Sequence, residues 1–465
     1  MPELKIDKPT LIWQMPFESE SAWPMAVTFV GANRVAAGNQ DGQLFVWELP
    51  SAPTESKTLW PIRRLDGHTN GITRLVATPE GTLISASLDH MIRLWDLNAT
   101  PSGKAEVVMD AEARQAEFKK TRKDEVLKRP GVSVETQTAA HVLDAHKNWI
   151  QSLGLSHDGK RLISGDDSAE VIVWDLATRQ PLKRWSGHKW NWIAAAALSP
   201  DGETAIVSEH RYKRDDFDIP AAGLKLWSVG DGSVKLDVLK VQFPKLRSDE
   251  SSYEAAQLWR KFVAAGLIAA DGSPDGKLFA LAQGGETETG KVHLIKTETG
   301  ELARSVSAHL NGVTDVKFSA DGKHLLSSGR DTTIRICQVE DGKEVAVLGT
   351  PRGGQFKDWF SALACLPIND SSQPPTSPVR SKFGRWMAVG RLGLRPDFAE
   401  WSGRSPNLQA RLFRHFAWPR LRRDLIRDTI FLLFRWGFSH ASPLVVVAEF
   451  SVARTRVLTR CLTGG

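Results

Sequence analysis

The amino-acid sequence predicts an all-β fold: a seven-bladed β-propeller whose last blade is only partly accounted for, followed by an irregular or helical C-terminal extension. The first observation behind this prediction is a block that recurs about every 40–50 residues. Each copy opens with a small residue and His, passes through short apolar segments, and commonly closes on Trp. The four clearest copies begin at Gly67, Ala145, Gly187 and Ala308.

The second observation is a set of turn signals between the apolar segments. Asp-Gly pairs, which recur there, favour tight turns because Gly tolerates a positive φ and Asp hydrogen-bonds to its own backbone. The segments IRLW before Asp96 and VIVW before Asp175 are rich in β-branched and aromatic residues, as strands are. Repeated small antiparallel sheets of this kind are typical of a propeller. The Asp-Gly pairs lie at 158–159, 201–202, 275–276 and 321–322.

Taken together, the blocks resemble WD repeats, the beta-transducin repeats of a β-propeller family, and in particular the bacterial type. The resemblance covers about residues 9–370 and depends on Gly-His, Pro-Asp-Gly and Trp-Asp occurring in combination. It implies a non-catalytic binding platform in which a hydrogen-bonded His, Ser or Thr, Asp and Trp tie each blade together. The residues that it assigns to these ties are His68, Ser85, Asp89, Trp95, His146, Ser164, Trp174, His188, Trp227, His309, Ser327 and Asp331.

Two blades depart from that pattern. In blade three, Ser168 occupies the Asp position, with Asp167 one residue away. In blade six, Cys337 replaces the Trp. These departures predict weaker ties in both blades.

The order of the repeats also predicts where each blade ends. A seventh blade begins at 355–359 and continues with FSALAC at 360–365, and GRWMAVG at 384–390 resembles a second strand. The early segment TLIW, which ends at Trp13, is the candidate for the strand that closes the ring, because a closed ring removes exposed strand edges. The first six blades are predicted to end near Trp47, Trp95, Trp174, Trp227, Ile295 and Cys337.

In the family that the chain resembles, the loops that enter the inner strands and the hairpins between second and third strands share one face, called the top. A Trp recurs there after the His position in three blades, a charged insertion occupies 209–222, and a charged, aromatic loop occupies about 243–262. Trp and Arg often anchor interfaces, so we expect a protein or peptide partner on this face. Two alternatives stay open: the Trp side chains pack between blades, and the insertion is a solvated, self-neutralising loop. The partner-binding candidates are Trp149, Trp192, Trp359, Arg211, Tyr212, Arg214, Trp259 and Arg260.

A further insertion, at 98–139, maps to the opposite face of blade two. Its middle, 110–129, combines good helix formers with mixed charges, so it predicts a helix. Two interpretations stay open, a helix that binds a partner and a solvated surface helix.

The sequence predicts neither an enzyme nor a cofactor. The segment 285–292 has the glycine and lysine spacing of a phosphate-binding loop but lacks the final Ser or Thr, and a strand-like VHLI follows it instead of a helix. The repeated His residues occupy equivalent positions in separate blades, so they predict structural ties and no metal site.

Cysteine content and the N-terminal composition bear on the compartment. The three cysteines, Cys337, Cys365 and Cys461, have no metal-type spacing and suit a reducing compartment. The first ten residues contain no apolar run typical of a signal peptide. We therefore expect a cytoplasmic protein, and a monomer.

The last part of the chain differs in composition from the repeats. A linker is predicted at 371–382, and residues 383–465 are Arg-rich and contain no further Lys. From residue 380 onward the chain carries 15 Arg and 1 Lys against 5 acidic residues, although its overall net charge is only +6. Three interpretations stay open: a basic segment that binds nucleic acid or an anionic membrane, a helical extension packed on the propeller, and a product of a shifted reading frame.

Overall fold

The computed structural model describes ten segments of the chain. Residues 1–392 with 442–465 form one compact unit, and 393–441 form a second that lies wholly outside the described residues. Trp13 and the predicted linker at 371–382 also lie outside them. The described segments are 15–18, 23–50, 58–188, 191–211, 223–242, 266–284, 290–351, 360–365, 386–391 and 443–448.

Strands dominate the described residues, so the predicted all-β propeller fold is confirmed. The first elements in chain order are β1 (Pro24–Val30), β2 (Arg34–Asn39), β3 (Leu44–Glu48), β4 (Arg63–Asp66), β5 (Ile72–Ala77), β6 (Thr82–Ser87), β7 (Ile92–Asp96), β8 (Gly103–Val107), helix α1 (Ala111–Thr121), a 3₁₀ turn (Asp124–Val126), β9 (Val132–Thr138) and β10 (His141–Leu143). They are followed by β11 (Ile150–Leu155), β12 (Arg161–Asp166), β13 (Glu170–Asp175), β14 (Gln180–Ser186), β15 (Asn191–Leu198), β16 (Thr204–Arg211), β17 (Gly223–Ser228), β18 (Val234–Asp237) and helix α2 (Val238–Gln242). The remaining strands are β19 (Leu267–Gly272), β20 (Leu278–Gln283), β21 (Gly290–Lys296), β22 (Leu302–His309), β23 (Val313–Phe318), β24 (His324–Gly329), β25 (Ile334–Gln338), β26 (Glu344–Leu348), β27 (Phe360–Cys365), β28 (Trp386–Arg391) and β29 (Pro443–Ala448).

These strands form seven sheets, the blades. Blades three to six have four strands each, in the orders β11-β12-β13-β14, β15-β16-β17-β18, β19-β20-β21-β22 and β23-β24-β25-β26. Blade two has the order β5-β6-β7-β10, and the described part of blade seven has β27-β28-β29. All strand pairs within these six sheets are antiparallel.

The innermost strands pack side by side in a closed cycle. Each contacts the inner strand of the next blade, and β27 contacts β1. Ala362 and Ala364 of β27 are buried in one apolar cluster with Val27 and Phe29 of β1. The ring therefore closes through the core between blades seven and one.

Two carboxylates fasten neighbouring inner strands to each other. An oxygen of Asp271 in blade five accepts the N–H of Phe318 in blade six at 2.8 Å. An oxygen of Asp315 in blade six accepts the N–H of Leu363 in blade seven, also at 2.8 Å. A carboxylate that accepts a backbone N–H makes a strong, charge-assisted bond. The first contact therefore holds blade six against blade five, and the second holds blade seven against blade six.

Blade seven takes its second and third strands from the segment beyond residue 382. Strand β28 pairs with β27, and β29 pairs with β28. The sheet thus combines residues from both sides of the predicted linker.

Blade one is wider than the others because the insertion at 98–139 joins it. Its order is β1-β2-β3-β4-β9-β8, where β9 runs parallel to β4 and β8 antiparallel to β9. The predicted helix is present as α1, which lies between β8 and β9. Arg114 of α1 is buried and donates to the carbonyl oxygens of Arg129 and Pro130, so the helix is fastened to the loop that leads into β9.

No helix in the described segments has the length and apolar character needed to cross a bilayer.

Candidate functional site

Blade two contains a complete buried hydrogen-bond chain at its top end. Nδ1 of His68 lies 2.8 Å from Oδ2 of Asp89, and its Nε2 lies 2.7 Å from Oγ of Ser85. The indole N–H of Trp95 donates to the same Oγ at 2.9 Å. A neutral imidazole that donates to the carboxylate and accepts from the hydroxyl satisfies every member of the chain.

Burial and hydrogen bonding shift the pKa values of this chain in the direction that keeps it intact. Burial lowers the pKa of His68, so its imidazole stays neutral. Burial alone would raise the pKa of Asp89, but hydrogen bonds from His68 and from two backbone N–H groups bring it to about 2. The pair is therefore a neutral imidazole on an ionised carboxylate at neutral pH.

Blade three contains an equivalent chain, so the prediction that Ser168 takes the place of its acidic member was wrong. The carboxylate comes from Asp166, whose Oδ2 lies 3.0 Å from Nδ1 of His146, while Ser164 and Trp174 complete the chain at 2.7 and 2.8 Å. The other oxygen of Asp166 accepts the N–H and the hydroxyl of Ser168 at 2.9 and 2.8 Å. The last residue of β12 thus caps the turn and holds the histidine at the same time.

Blade six keeps the first three members. Nδ1 of His309 lies 2.9 Å from Asp331, and its Nε2 lies 2.9 Å from Ser327. The hydroxyl of Thr333 adds a bond to Asp331 at 2.7 Å. Cys337 is buried where the other two blades have Trp. Burial alone would raise the pKa of Asp331, but the bonds from His309, Thr333 and the backbone bring it to about 2.

Blade four does not bring its predicted members together through a serine. Val207 occupies the register position that Ser85 has in blade two. The indole of Trp227 instead stacks on Trp185 at 4.8 Å, and Glu209 accepts the backbone N–H of His188 at 3.0 Å. The aromatic stack therefore joins blade four to blade three, and within blade four the polar contact of His188 is made by Glu209.

Blade one shows the consequence of losing the hydroxyl. Ala37 occupies the serine position, and the buried indole N–H of Trp47 has no hydrogen-bond partner among the described residues.

A position at the top of each inner strand is occupied by Trp or Gly. In five blades its carbonyl oxygen accepts the N–H of the residue that follows the second strand, at 2.6–3.0 Å, which shows that the positions are equivalent. In blade four, the strand register places Trp192 at this position. In blade seven, the sequence predicts Trp359 there, which lies outside the described residues. The five residues with this backbone bond are Trp23, Gly71, Trp149, Gly266 and Gly312.

The side chains at this position differ in exposure. Trp149 is 39% exposed, whereas Trp23 is buried. Trp192 is half-buried, with its ring 5.6 Å from that of His210. At Gly71 a Cβ would lie 2.8 Å from the carbonyl oxygen of Gln40, so this position has no room for a side chain. Blades three and four therefore carry the described tryptophans with accessible surface at the mouth of the ring.

The other partner-binding candidates are described only in part. Arg211 is the last residue of β16, and its side chain is outside the described atoms. Tyr212, Arg214, Trp259 and Arg260 lie outside the described residues. Their place on the top face stays a prediction.

The central channel contains charged residues that no sequence motif indicates. The guanidinium of Arg74 in blade two donates across the ring to the carbonyl oxygen of Ile268 in blade five at 3.1 Å. Nζ of Lys317 lies 3.9 Å from Asp271. Burial alone would lower the pKa of Lys317, but Asp271 and Asp315 outweigh it and raise this pKa. The channel retains a cavity of about 40 Å³, which is room for a few water molecules.

Within the described segments, one group of side chains has its potential metal-ligand atoms within 4.8 Å of one another: His146, Asp166 and Glu170. Both ring nitrogens of His146 are already hydrogen-bonded in the blade-three chain. A metal ion there would have to break that chain, so the geometry favours a structural role for these residues.

Comparison with known proteins agrees with this geometry. The family model described as WD domain, G-beta repeat matches residues 59–96, 137–175 and 300–337. Three segments of the chain therefore match the WD repeat. The three matched segments contain His68, His146 and His309, the histidines that join a serine and a carboxylate.

Similar proteins come from eukaryotes. The chain is 24% identical over 337 residues to nuclear distribution protein nudF of Emericella nidulans, covering 72% of this chain and 53% of that protein. It is 26% identical to nuclear distribution protein PAC1 of Arthroderma otae, over 61% of this chain and 58% of that protein. It is also 26% identical to autophagy-related protein 16 of Arabidopsis thaliana, over 48% and 36%. The chain thus spans about half the length of the first two relatives, and none of the three supports the bacterial-type qualifier.

Proposed function

We propose that this WD-repeat protein is a non-catalytic scaffold that binds a protein or peptide partner through the top face of its propeller. The observation that carries the proposal is the exposure of Trp149 at the mouth of the ring. Trp47, Trp95 and Trp174 are almost completely buried, whereas Trp149 is 39% exposed. An indole leaves a large apolar surface in water here, and Trp is the residue type most enriched among interface anchors.

The neighbouring blade extends the candidate surface. Trp192 occupies the equivalent position in blade four and is half-buried, so the two indoles lie on adjacent inner strands. The predicted charged insertion at 209–222 begins within β16 of the same blade, a strand that ends at Arg211. We place Trp359, Tyr212, Arg214, Trp259 and Arg260 in the proposed surface on sequence grounds.

A binding role also fits the interior of the ring. Arg74 crosses the channel and leaves a cavity of about 40 Å³, which is too small for a substrate larger than a few waters. The names of the three relatives refer to nuclear distribution and autophagy. A cytoplasmic location, and recruitment to nucleic acid or an anionic membrane by the basic C-terminal segment, stay predictions.

The proposal is tested by replacing one exposed tryptophan and comparing it with another. Trp149→Ala is expected to lower recovery of the bound partner in quantitative affinity capture by at least about tenfold, the effect of removing a strong interface anchor. Trp60→Ala is the matched control, because Trp60 is 45% exposed but lies before β4 on the outer part of blade one. Equal recovery with the two variants, both folded by circular dichroism, would contradict a top-face site.

A further inference from the structure

Strand β8 is the outermost strand of the widened sheet and has one open edge. In the order β1-β2-β3-β4-β9-β8 it pairs, among the described strands, with β9 alone. No other described element packs closely along it. The open edge of a strand presents unpaired backbone N–H and C=O groups that can pair with another strand.

Two other outer strands of the described blades, β10 and β14, are protected against such pairing. Strand β10 has only three residues. Strand β14 contains Pro181, and its neighbouring cations Lys183 and Arg184 would repel a second copy of the same strand. Strand β8 has five residues, GKAEV, and no proline.

The charges of β8 are complementary to those of a second β8. In an antiparallel pair centred on Ala105, Lys104 of each copy faces Glu106 of the other, so two opposite-charge pairs form about one two-fold axis. Both side chains are exposed. Directly opposed charges of opposite sign stabilise antiparallel strands, and like charges destabilise them.

The same alternation of charge already exists within the sheet. Arg63 of β4 binds Glu135 of β9 at 2.7 Å, and Glu135 is in register with Lys104 of β8. Across the sheet, Arg63, Glu135 and Lys104 thus alternate in charge, and Glu106 of a second copy would add the next negative charge beside Lys104. Oε1 of Glu106 accepts the N–H of Gly131, which orients the carboxylate and leaves Oε2 for the lysine.

We propose that β8 pairs with β8 of a second copy of this chain, so that two propellers form a two-fold symmetric dimer through one continuous sheet. This dimer differs from the predicted monomer and does not involve the top face. The surface buried by one strand pair is small, so the dimer dissociates on dilution.

Charge reversal on the full chain tests the proposal by sedimentation velocity over about a hundredfold range of concentration. Wild-type protein is expected to shift from monomer to dimer. Lys104→Glu and Glu106→Lys each place like charges opposite one another twice, so each should weaken dimerisation at least about tenfold. The double variant K104E/E106K and an equimolar mixture of the two single variants both restore opposite-charge pairs, so both should dimerise again. Lys183→Glu on β14 is the control and should leave dimerisation unchanged.

Dimerisation of the mixture would show that each single variant loses the dimer through charge repulsion and not through misfolding. Mixing can restore the dimer only if β8 of one variant pairs with β8 of the other. A wild-type chain that stays monomeric throughout, or a dimer that both single charge reversals leave intact, would overturn the proposal.

Discussion

Replacing Asp166 with alanine is expected to destabilise the propeller by about 3 kcal/mol. The carboxylate is fully buried and accepts bonds from His146, from Ser168 and from the N–H of Glu170. Alanine leaves the buried imidazole N–H of His146 and the half-buried donors of Ser168 and Glu170 without this acceptor. The cost of an unsatisfied buried donor exceeds the net value of the bond itself. Urea unfolding followed by tryptophan fluorescence measures the change.

Asp167 provides the matched control for this variant. It is adjacent in the same turn and has the same chemistry, but it is half-exposed and does not hold His146. Asp167→Ala is therefore expected to cost less than about 1 kcal/mol. If the two variants lose equal stability, Asp166 is not the carboxylate of the blade-three chain.

The free energy of unfolding is expected to fall between pH 6.5 and pH 4 by about 3 kcal/mol less in the His293→Gln variant than in the wild type. His293 lies in the core of blade five, with Nε2 3.0 Å from Oε1 of Gln283 and Nδ1 2.7 Å from Oγ of Ser305. Burial, aided by the charge of Lys291, lowers the pKa of this histidine from 6.5 to about 3. Below pH 6.5 the unfolded chain takes up a proton at His293 and the folded chain does not. The free energy of unfolding therefore falls as the pH drops towards 3.

Glutamine keeps a hydrogen-bond donor for Gln283 and cannot be protonated in this pH range. The contribution of His293 is therefore the difference between the wild-type and variant curves of unfolding free energy against pH. The free energy of unfolding of wild type and His293→Gln should be measured at several values between pH 7 and pH 4. The wild-type curve is expected to fall more steeply by about 1.4 kcal/mol per pH unit below 6.5. Parallel curves would show that His293 does not remain neutral in the folded protein.

The repeat, and with it the fold, could be predicted because each blade repeats local signals. Trp95 and Trp174 lie on the third strand of their blades, and each has its serine partner ten residues earlier on the second strand, so sequence spacing alone identifies these blades. The blade-three carboxylate could not be assigned this way. In blade two the last residue of the second strand is Ser87, whose hydroxyl accepts the N–H of Asp89. In blade three Asp166 replaces that serine and reaches the histidine directly.

The widened sheet depended on contacts between distant segments. The composition of 110–129 predicts helix α1. No local sequence pattern indicates that β9 pairs in parallel with β4 of blade one. That pairing is fixed by tertiary packing, in which Val107 and Val134 join the core of blade one. The free edge of β8 follows from the same pairing and could not be anticipated.

At the mouth of the ring, only part of the pattern could be predicted from the sequence. Trp149 and Trp192 follow a His and so were noticed, whereas Trp23 and Gly266 occupy equivalent positions without that marker. The channel residue Arg74 was missed for a related reason. Its partner is a backbone carbonyl of blade five, 194 residues away. No local spacing in the sequence predicts such a contact.

Hydrogen exchange at β27 tests most directly the claim that the seven blades form a closed ring. Strand β27 contacts the inner strands on both sides, and the N–H of Leu363 is bonded to Asp315 at 2.8 Å. Mass spectrometry of a peptide covering 360–365 should therefore show protection comparable to that of β1 and β23. Exchange of that peptide at the rate of an unstructured chain, with β1 and β23 still protected, would contradict closure through blade seven.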